Sequence, residues 1–220
     1  DHLVDEHKAK RIYYLSGPSY MHDIRMREDG FRERMKSRGV AFREEYIFMG
    51  NLWYNIGKEA VDYFLSLNDE RPDAILCAND YMAISVCEEL CDRGFRVPED
   101  IIVTGFDDVE EARDIYPMLT TVEACPENFA RCAMEIIKKA ERGEKLEKQY
   151  YISTQNQYRN SCGCKEAEEA KQIFRKQFKK NRRLVHMYKQ NMFMVFQMEG
   201  IRDYQGLSDL VGKFVEGNTG

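Results

Sequence analysis

The feature that most restricts the fold of this chain is a strict alternation of short β-rich runs with helical ones over its first hundred residues. The pattern predicts strands Arg11–Ser16, Phe42–Phe48, Ala74–Ala78 and Ile101–Thr104. Between them it predicts helices His22–Arg38, Ile56–Leu67 and Asp80–Arg93. The helices end at stop signals: Gly39, Asn68 with Pro72 beyond it, and Gly94 with Pro98 beyond it. Such a rhythm gives an α/β fold, an open and mostly parallel sheet with right-handed crossovers and helices on both faces. Ligands of these sheets sit outside the carboxyl ends of the strands. Here those ends are Gly17-Pro18-Ser19-Tyr20, Cys77-Ala78-Asn79-Asp80 and Gly105-Phe106-Asp107-Asp108.

The remainder divides differently. Pro126–Arg142 reads as an amphipathic helix with Phe129, Ala133, Ile136, Ile137 and Ala140 on one face, and Gln149–Ser153 as a strand. After the break at Ser161-Cys162-Gly163-Cys164, residues 165–198 contain neither Gly nor Pro, enough for a helix on the order of 50 Å long. Its apolar positions Phe174, Phe178, Val185, Tyr188, Met192 and Val195 follow coiled-coil spacing, with Asn181 in the seam. The expected organisation is a ligand domain at 1–160, a joint and signalling helix at 161–199, and the start of a further domain at 200–220. Charge follows the same division. Residues 165–220 carry eleven basic and seven acidic side chains, +4, against 22 and 31, −9, in residues 1–164.

Composition excludes several classes. With 43% hydrophobic residues the chain can bury an ordinary core, and no apolar run approaches the roughly 18 to 20 residues that a bilayer requires. A net charge of −5 is unusual for a general nucleic-acid binder. Seven cysteines, an odd number, suit a reducing cytoplasm better than a disulfide framework. The first residues open in mid-pattern, as an excised fragment would.

Enzymatic constellations are absent from the sequence. The four histidines are scattered, and neither a Walker loop nor a G-x-G-x-x-G stretch occurs. Cys87 and Cys91 fall among apolar helix positions and are expected to pack as small hydrophobes. Cys162 and Cys164 are expected to be structural or inert, with no metal, because a C-x-C pair leaves a tetrahedral ion two ligands short and no histidine is near in sequence. The strand ends do collect hydrogen-bonding groups: Arg27 in the first turns of its helix, Asn79, Asp80, Asp107 and Asp108. A donor fork, carboxylates and an amide can hold neighbouring hydroxyls of a small polar ligand, and the indole of Trp53 can cover the flatter face of a sugar ring. The bland alternative is that Asn79 and Asp80 cap the following helix and that Asp107 and Asp108 favour the N-terminus of a short one.

These stretches resemble a known family. Arg11–Gly17, Arg27-Glu28-Asp29-Gly30-Phe31, Cys77-Ala78-Asn79-Asp80-Tyr81-Met82-Ala83, Val97–Ile101 with Gly105-Phe106-Asp107-Asp108, and Pro117–Val122 are similar, in order and spacing, to the effector-binding domain of LacI/GalR-type regulators. The resemblance runs from about Leu3 to Arg159. It implies the periplasmic-binding-protein fold of two α/β lobes around a cleft, with Arg27, Asn79 and Asp107 contacting a small, sugar-like effector and an aromatic residue near Trp53 stacking on it. It also implies a cytoplasmic sensor with no cofactor, no catalysis and no membrane. The family's DNA-reading helix-turn-helix and most of its first lobe would precede residue 1, so no nucleic-acid contact is expected of this chain. The return segment Leu119–Arg142 would then need another partner for its apolar face. The run Arg159–Cys164 followed by a long helix is similar to a subset of these sensors that precede a signalling output, often a GGDEF diguanylate cyclase or a kinase. No G-G-[DE]-E-F string occurs. Homodimerisation through the helix and passage of a signal along it are the corresponding expectations. An exported solute receptor for a transporter is the alternative.

Overall fold

A computed structural model of the chain describes residues 1–67 and 71–164. The expected long helix at 165–198, its coiled coil and the start of a further domain lie outside the described residues. In chain order the elements are α1 (His2–Asp5), β1 (Ile12–Ser16), α2 (His22–Ser37), β2 (Ile47–Met49), α3 (Gly57–Ser66), β3 (Ala74–Cys77), α4 (Asp80–Asp92), β4 (Ile102–Thr104), α5 (Glu111–Asp114), β5 (Thr121–Glu123), α6 (Pro126–Glu141) and β6 (Gln155–Gln157).

Strands β1 to β4 form one parallel sheet in the order β2-β1-β3-β4. β1 is buried along its whole length, as a strand covered on both faces must be. Its consecutive tyrosines show the two layers, because neighbouring strand residues point to opposite faces. Tyr14 stacks on Phe31 of α2 with centroids 5.0 Å apart, whereas Tyr13 meets Phe64 of α3 at 5.3 Å and Tyr46 at 4.5 Å. α2 buries Ile24, Phe31 and Met35, residues spaced to fall on one face. α3 and α4 pack so closely that a Cβ at Gly57 would lie 2.3 Å from the Ser85 carbonyl oxygen. Gly39 and Gly94 follow their helices in the left-handed region, at φ +65° and +85°, the conformation that a helix-ending glycine supplies without strain.

Two expected strands are placed differently. Of Phe42–Phe48, only Ile47 and Phe48 enter β2, which runs on to Met49; Glu44–Tyr46 form a 3₁₀ turn. Arg32 of α2 reaches the Glu44 carboxylate at 2.7 Å, so this part of the segment is held by the helix rather than by the sheet. Gln149–Ser153 is not a strand either. The pairing with β5 is made by β6, which begins two residues past Ser153, where Thr121, Val122 and Glu123 lie antiparallel to Gln157, Asn156 and Gln155. Cys87 is buried as expected, but Cys91, one turn further along α4, emerges into solvent. None of the residues of α6 is buried, and Phe129 and Ile137 are 65% and 50% exposed.

Candidate functional site

In the order β2-β1-β3-β4 the chain moves outward from β1 to β2 and then returns to β1's other side with β3. The crevice of such a sheet lies outside the carboxyl ends of the two strands at that reversal. β1 ends at Ser16 and β3 at Cys77, and the turn after β4 closes the same rim through the bond from the Asp80 amide to the Phe106 carbonyl, 2.8 Å.

Arg27 gathers this rim. Its Nη1 donates to the Ala78 carbonyl at 2.6 Å, and its guanidinium carbon stands 3.8 Å from the Phe106 ring centroid. One side chain therefore touches the residue before Asn79 and the residue before Asp107. Asn79 is both a cap and a tie. Its side-chain oxygen accepts from the Met82 amide at 3.0 Å, and its Nδ2 donates to the Leu52 carbonyl at 2.9 Å. One N–H and one lone pair of the amide stay available. The Leu52 bond also brings Trp53 to the rim. Its ring, 37% exposed, lies within 8° of parallel to that of Tyr81, centroids 6.3 Å apart.

Asp107 is the least satisfied member. Its backbone has φ +116°, its amide donates to the Val122 carbonyl at 2.9 Å, and its carboxylate has no hydrogen-bond partner among the described residues. Burial pushes this carboxyl above the usual range; the charge of Arg27 acts against that and the charge of Asp23 with it. A half-buried carboxylate beside a guanidinium is an acceptor prepared for hydroxyl donors.

Asp80 and Asp108 do structural work, though neither as the helix cap or helix-terminus charge of the bland reading; the cap is Asn79 alone. Asp80 is fully buried, accepting from the Thr121 hydroxyl at 2.6 Å and the Val109 amide at 3.0 Å. Burial lifts its pKa to about 7, against the pull of those two hydrogen bonds. Gly105 is required here, since a Cβ would stand 2.1 Å from the Asp80 Oδ1. Asp108 is locked between Arg113 and the buried Arg159, whose Nη2 lies 2.5 Å from its Oδ1. Arg159 is a structural partner of the rim that sequence reasoning missed, because 51 residues separate the pair.

A cavity of about 470 Å³ opens beside this rim, on the face covered by α2, and is lined by Tyr14, Arg27, Phe31, Phe106, Thr121 and Tyr158 among others. Of the four expected contact residues it takes in only Arg27; Asn79, Asp107 and Trp53 are not part of its lining.

The cysteine pair, expected to lack further ligands because no histidine is near in sequence, has two histidines beside it in space. His2 and His7 stand beside Cys162 and Cys164, with the Nε2 of His2 3.2 Å and that of His7 3.3 Å from the Cys164 Sγ. The two ends of the domain meet in space, which the long separation in sequence concealed.

A parallel sheet whose carboxyl edge carries a bridging arginine and an unsatisfied carboxylate defines a lobe of a small-molecule-binding protein. More specifically, the chain belongs to the periplasmic binding protein-like domain family, whose model matches residues 1–162. It is 32% identical over 136 residues to the ribose operon repressor of Escherichia coli K12, a match covering 62% of this chain and 41% of that protein. The HTH-type transcriptional repressor PurR of Mannheimia succiniciproducens is also 32% identical over 136 residues, with coverage of 62% and 40%. Among solved structures, a LacI-family regulatory protein from Chloroflexus aggregans matches with 26% identity and a TM-score of 0.66, covering 71% of this chain and 57% of that one. The transcriptional regulator CelR in complex with cellobiose matches with 27% identity and a TM-score of 0.65, covering 72% and 48%. The domain is thus of the LacI/GalR effector-binding type. The chain spans about two fifths of the length of these curated relatives.

Proposed function

We propose that this chain is the ligand-sensing module of a cytoplasmic LacI/GalR-like regulator. Arg27, Asn79 and Asp107 bind a small, sugar-like effector and Trp53 covers one of its faces. The observation that carries the reading is Arg27 spanning Ala78 and Phe106, which sets a donor fork, a partly free amide and an unpartnered carboxylate along one strand-end rim. That inventory matches vicinal hydroxyls. The likeness to a regulator solved with cellobiose and to a ribose operon repressor supports a carbohydrate-like ligand. Residues 1–160 form the sensor; 161–199 carry the signal as a helix that pairs with a second copy of the chain; 200–220 begin an output such as a GGDEF domain or a kinase. This chain performs no catalysis and touches no nucleic acid. Among the described residues no helix is long and apolar enough to cross a membrane. An exported solute receptor is disfavoured by the relatives, which are named as transcriptional regulators.

Titration calorimetry against a panel of mono- and disaccharides and nucleosides tests the assignment. One panel member should bind, and Asp107→Ala should weaken it at least tenfold, the value of one charge-assisted hydrogen bond of about 1.5 to 3 kcal/mol. Equal affinity in the variant refutes the role of Asp107.

A further inference from the structure

We propose that His2, His7, Cys162 and Cys164 bind a single zinc ion that fastens the start of the chain to the turn following Arg159. Their four ligand atoms lie within 4.8 Å of one another. The Nε2 atoms of His2 and His7 are 3.0 Å apart, the His2 Nε2 is 3.7 Å from the Cys162 Sγ and 3.2 Å from the Cys164 Sγ, and the His7 Nε2 is 3.3 Å from the Cys164 Sγ. A tetrahedral zinc with Zn–N near 2.0 to 2.1 Å and Zn–S near 2.3 Å has N···N edges of about 3.3 Å, N···S edges of about 3.5 Å and an S···S edge of about 3.8 Å. The four edges given lie within about 0.3 Å of those of the polyhedron, and no edge exceeds 4.8 Å.

Hydrogen bonding alone does not account for the arrangement. The His2 Nε2 faces His7, Cys162 and Cys164 together, yet one imidazole nitrogen offers one hydrogen or one lone pair. A central cation takes the lone pairs of all four atoms at once.

The surrounding structure holds the ligands in place. Leu3, next to His2, and Ala9, two residues past His7, are buried and joined by a 3.0 Å bond from the Ala9 amide to the Leu3 carbonyl. The Tyr158 ring stacks on His2 with centroids 3.9 Å apart. Between the cysteines, Gly163 adopts φ +87°, a conformation that turns both thiols toward one centre and that a residue with a Cβ resists. Two thiolates and two imidazoles select zinc over magnesium or calcium, and four protein ligands leave no open position, which makes the site structural. Binding deprotonates the two thiols, their protons pass to solvent, and the two thiolates neutralise the ion's charge. None of the four residues belongs to the proposed effector contacts, so loss of effector binding and loss of metal are separate outcomes.

The test uses the 220-residue chain, purified under reducing conditions without chelator. Elemental analysis should find near-stoichiometric zinc, and Cys164→Ser and His7→Ala, both changes at accessible positions, should each abolish it while the far-ultraviolet circular dichroism is kept. Replacing zinc with cobalt in the unmutated chain should give the intense visible bands of a tetrahedral site together with thiolate-to-cobalt charge transfer, a readout that needs no variant to fold. A folded chain that takes up no zinc from excess, full zinc retention in both variants, or a cobalt spectrum without thiolate charge transfer would each overturn the proposal.

Discussion

Truncating Arg159 to alanine should be among the most damaging single changes in the sensor domain. Its side chain is 10% exposed and that of Asp108 1% exposed, with Nη2 and Oδ1 2.5 Å apart, so the charges are held out of water. Its Nη1 also donates to the carbonyl of the buried Leu119 at 2.9 Å. Removing one member of a buried pair costs about 3 to 5 kcal/mol, because the other charge is left without compensation. Arg113 still holds the second Asp108 oxygen, so the lower end applies, and the loss of the donor to Leu119 adds about 1 kcal/mol. A total near 3 to 4 kcal/mol, with a urea slope of about 2 kcal/mol/M, lowers the denaturation midpoint by about 1.5 to 2 M. The effect should depend on pH in a fixed direction. Burial raises the Asp108 carboxyl, but the two guanidinium groups outweigh it and hold its pKa below the usual range. Stability from this group is therefore complete above the unfolded value of about 3.9 and is lost as pH falls through the lower folded value. The gap between wild type and Arg159→Ala should narrow below about pH 4. A loss under about 1 kcal/mol at pH 7, the worth of an exposed pair, would refute the reasoning.

Asp80 has the opposite sign. Its pKa is raised to about 7 by burial, so its contribution to stability is full below the unfolded value and disappears as pH rises through 7. Relative to wild type, Asp80→Asn should gain about 2 to 3 kcal/mol between pH 5 and pH 8 in urea melts, and a difference that does not change with pH would disprove the buried charge. The proposed pairing of two copies through residues 165–198 predicts that Val185→Asp shifts the chain from dimer to monomer in sedimentation equilibrium, at about 1.5 to 3 kcal/mol for each apolar residue such pairing would bury; unchanged mass would refute the pairing.

What could be read from the sequence follows from the range of the forces concerned. β1, α2 and α4 were legible because periodicity, glycine stops and a cap at Asn79 all act within a few residues. β2 and β6, three residues each, are selected by partners elsewhere in the chain, and the aromatic run at Tyr150 and Tyr151 gave no hint that pairing would begin at Gln155. Asn79 and Asp107 stood out because they lie just past strand ends, and Arg27 because it sits in the first turns of the helix after β1, all within recognisable stretches. Asp108 with Arg159, and His2 and His7 with the cysteine pair, carry no local signal. Those groups meet only once the sheet is built.

The tertiary contacts nevertheless connect the rim to the last described turn. Asp107 and Asp108 occupy consecutive left-handed backbone positions, φ +116° and +58°, so the carboxylate facing the rim and the one facing Arg159 are set by the same strained turn. Arg159 leads directly into the 3₁₀ turn Asn160–Cys162. Within that turn the Ser161 hydroxyl donates to the Val103 carbonyl at 2.6 Å and accepts from the Thr120 amide at 2.8 Å, tying it to β4 and to the residue before β5. Any displacement of Asp107 must therefore strain either the Asp108–Arg159 pair or the backbone between the two aspartates, since interiors packed this closely transmit a shift rather than absorb it. Cys162, at the end of this path, is also one of the four proposed zinc ligands, so an ion held there would brace the same turn that Arg159 leads into.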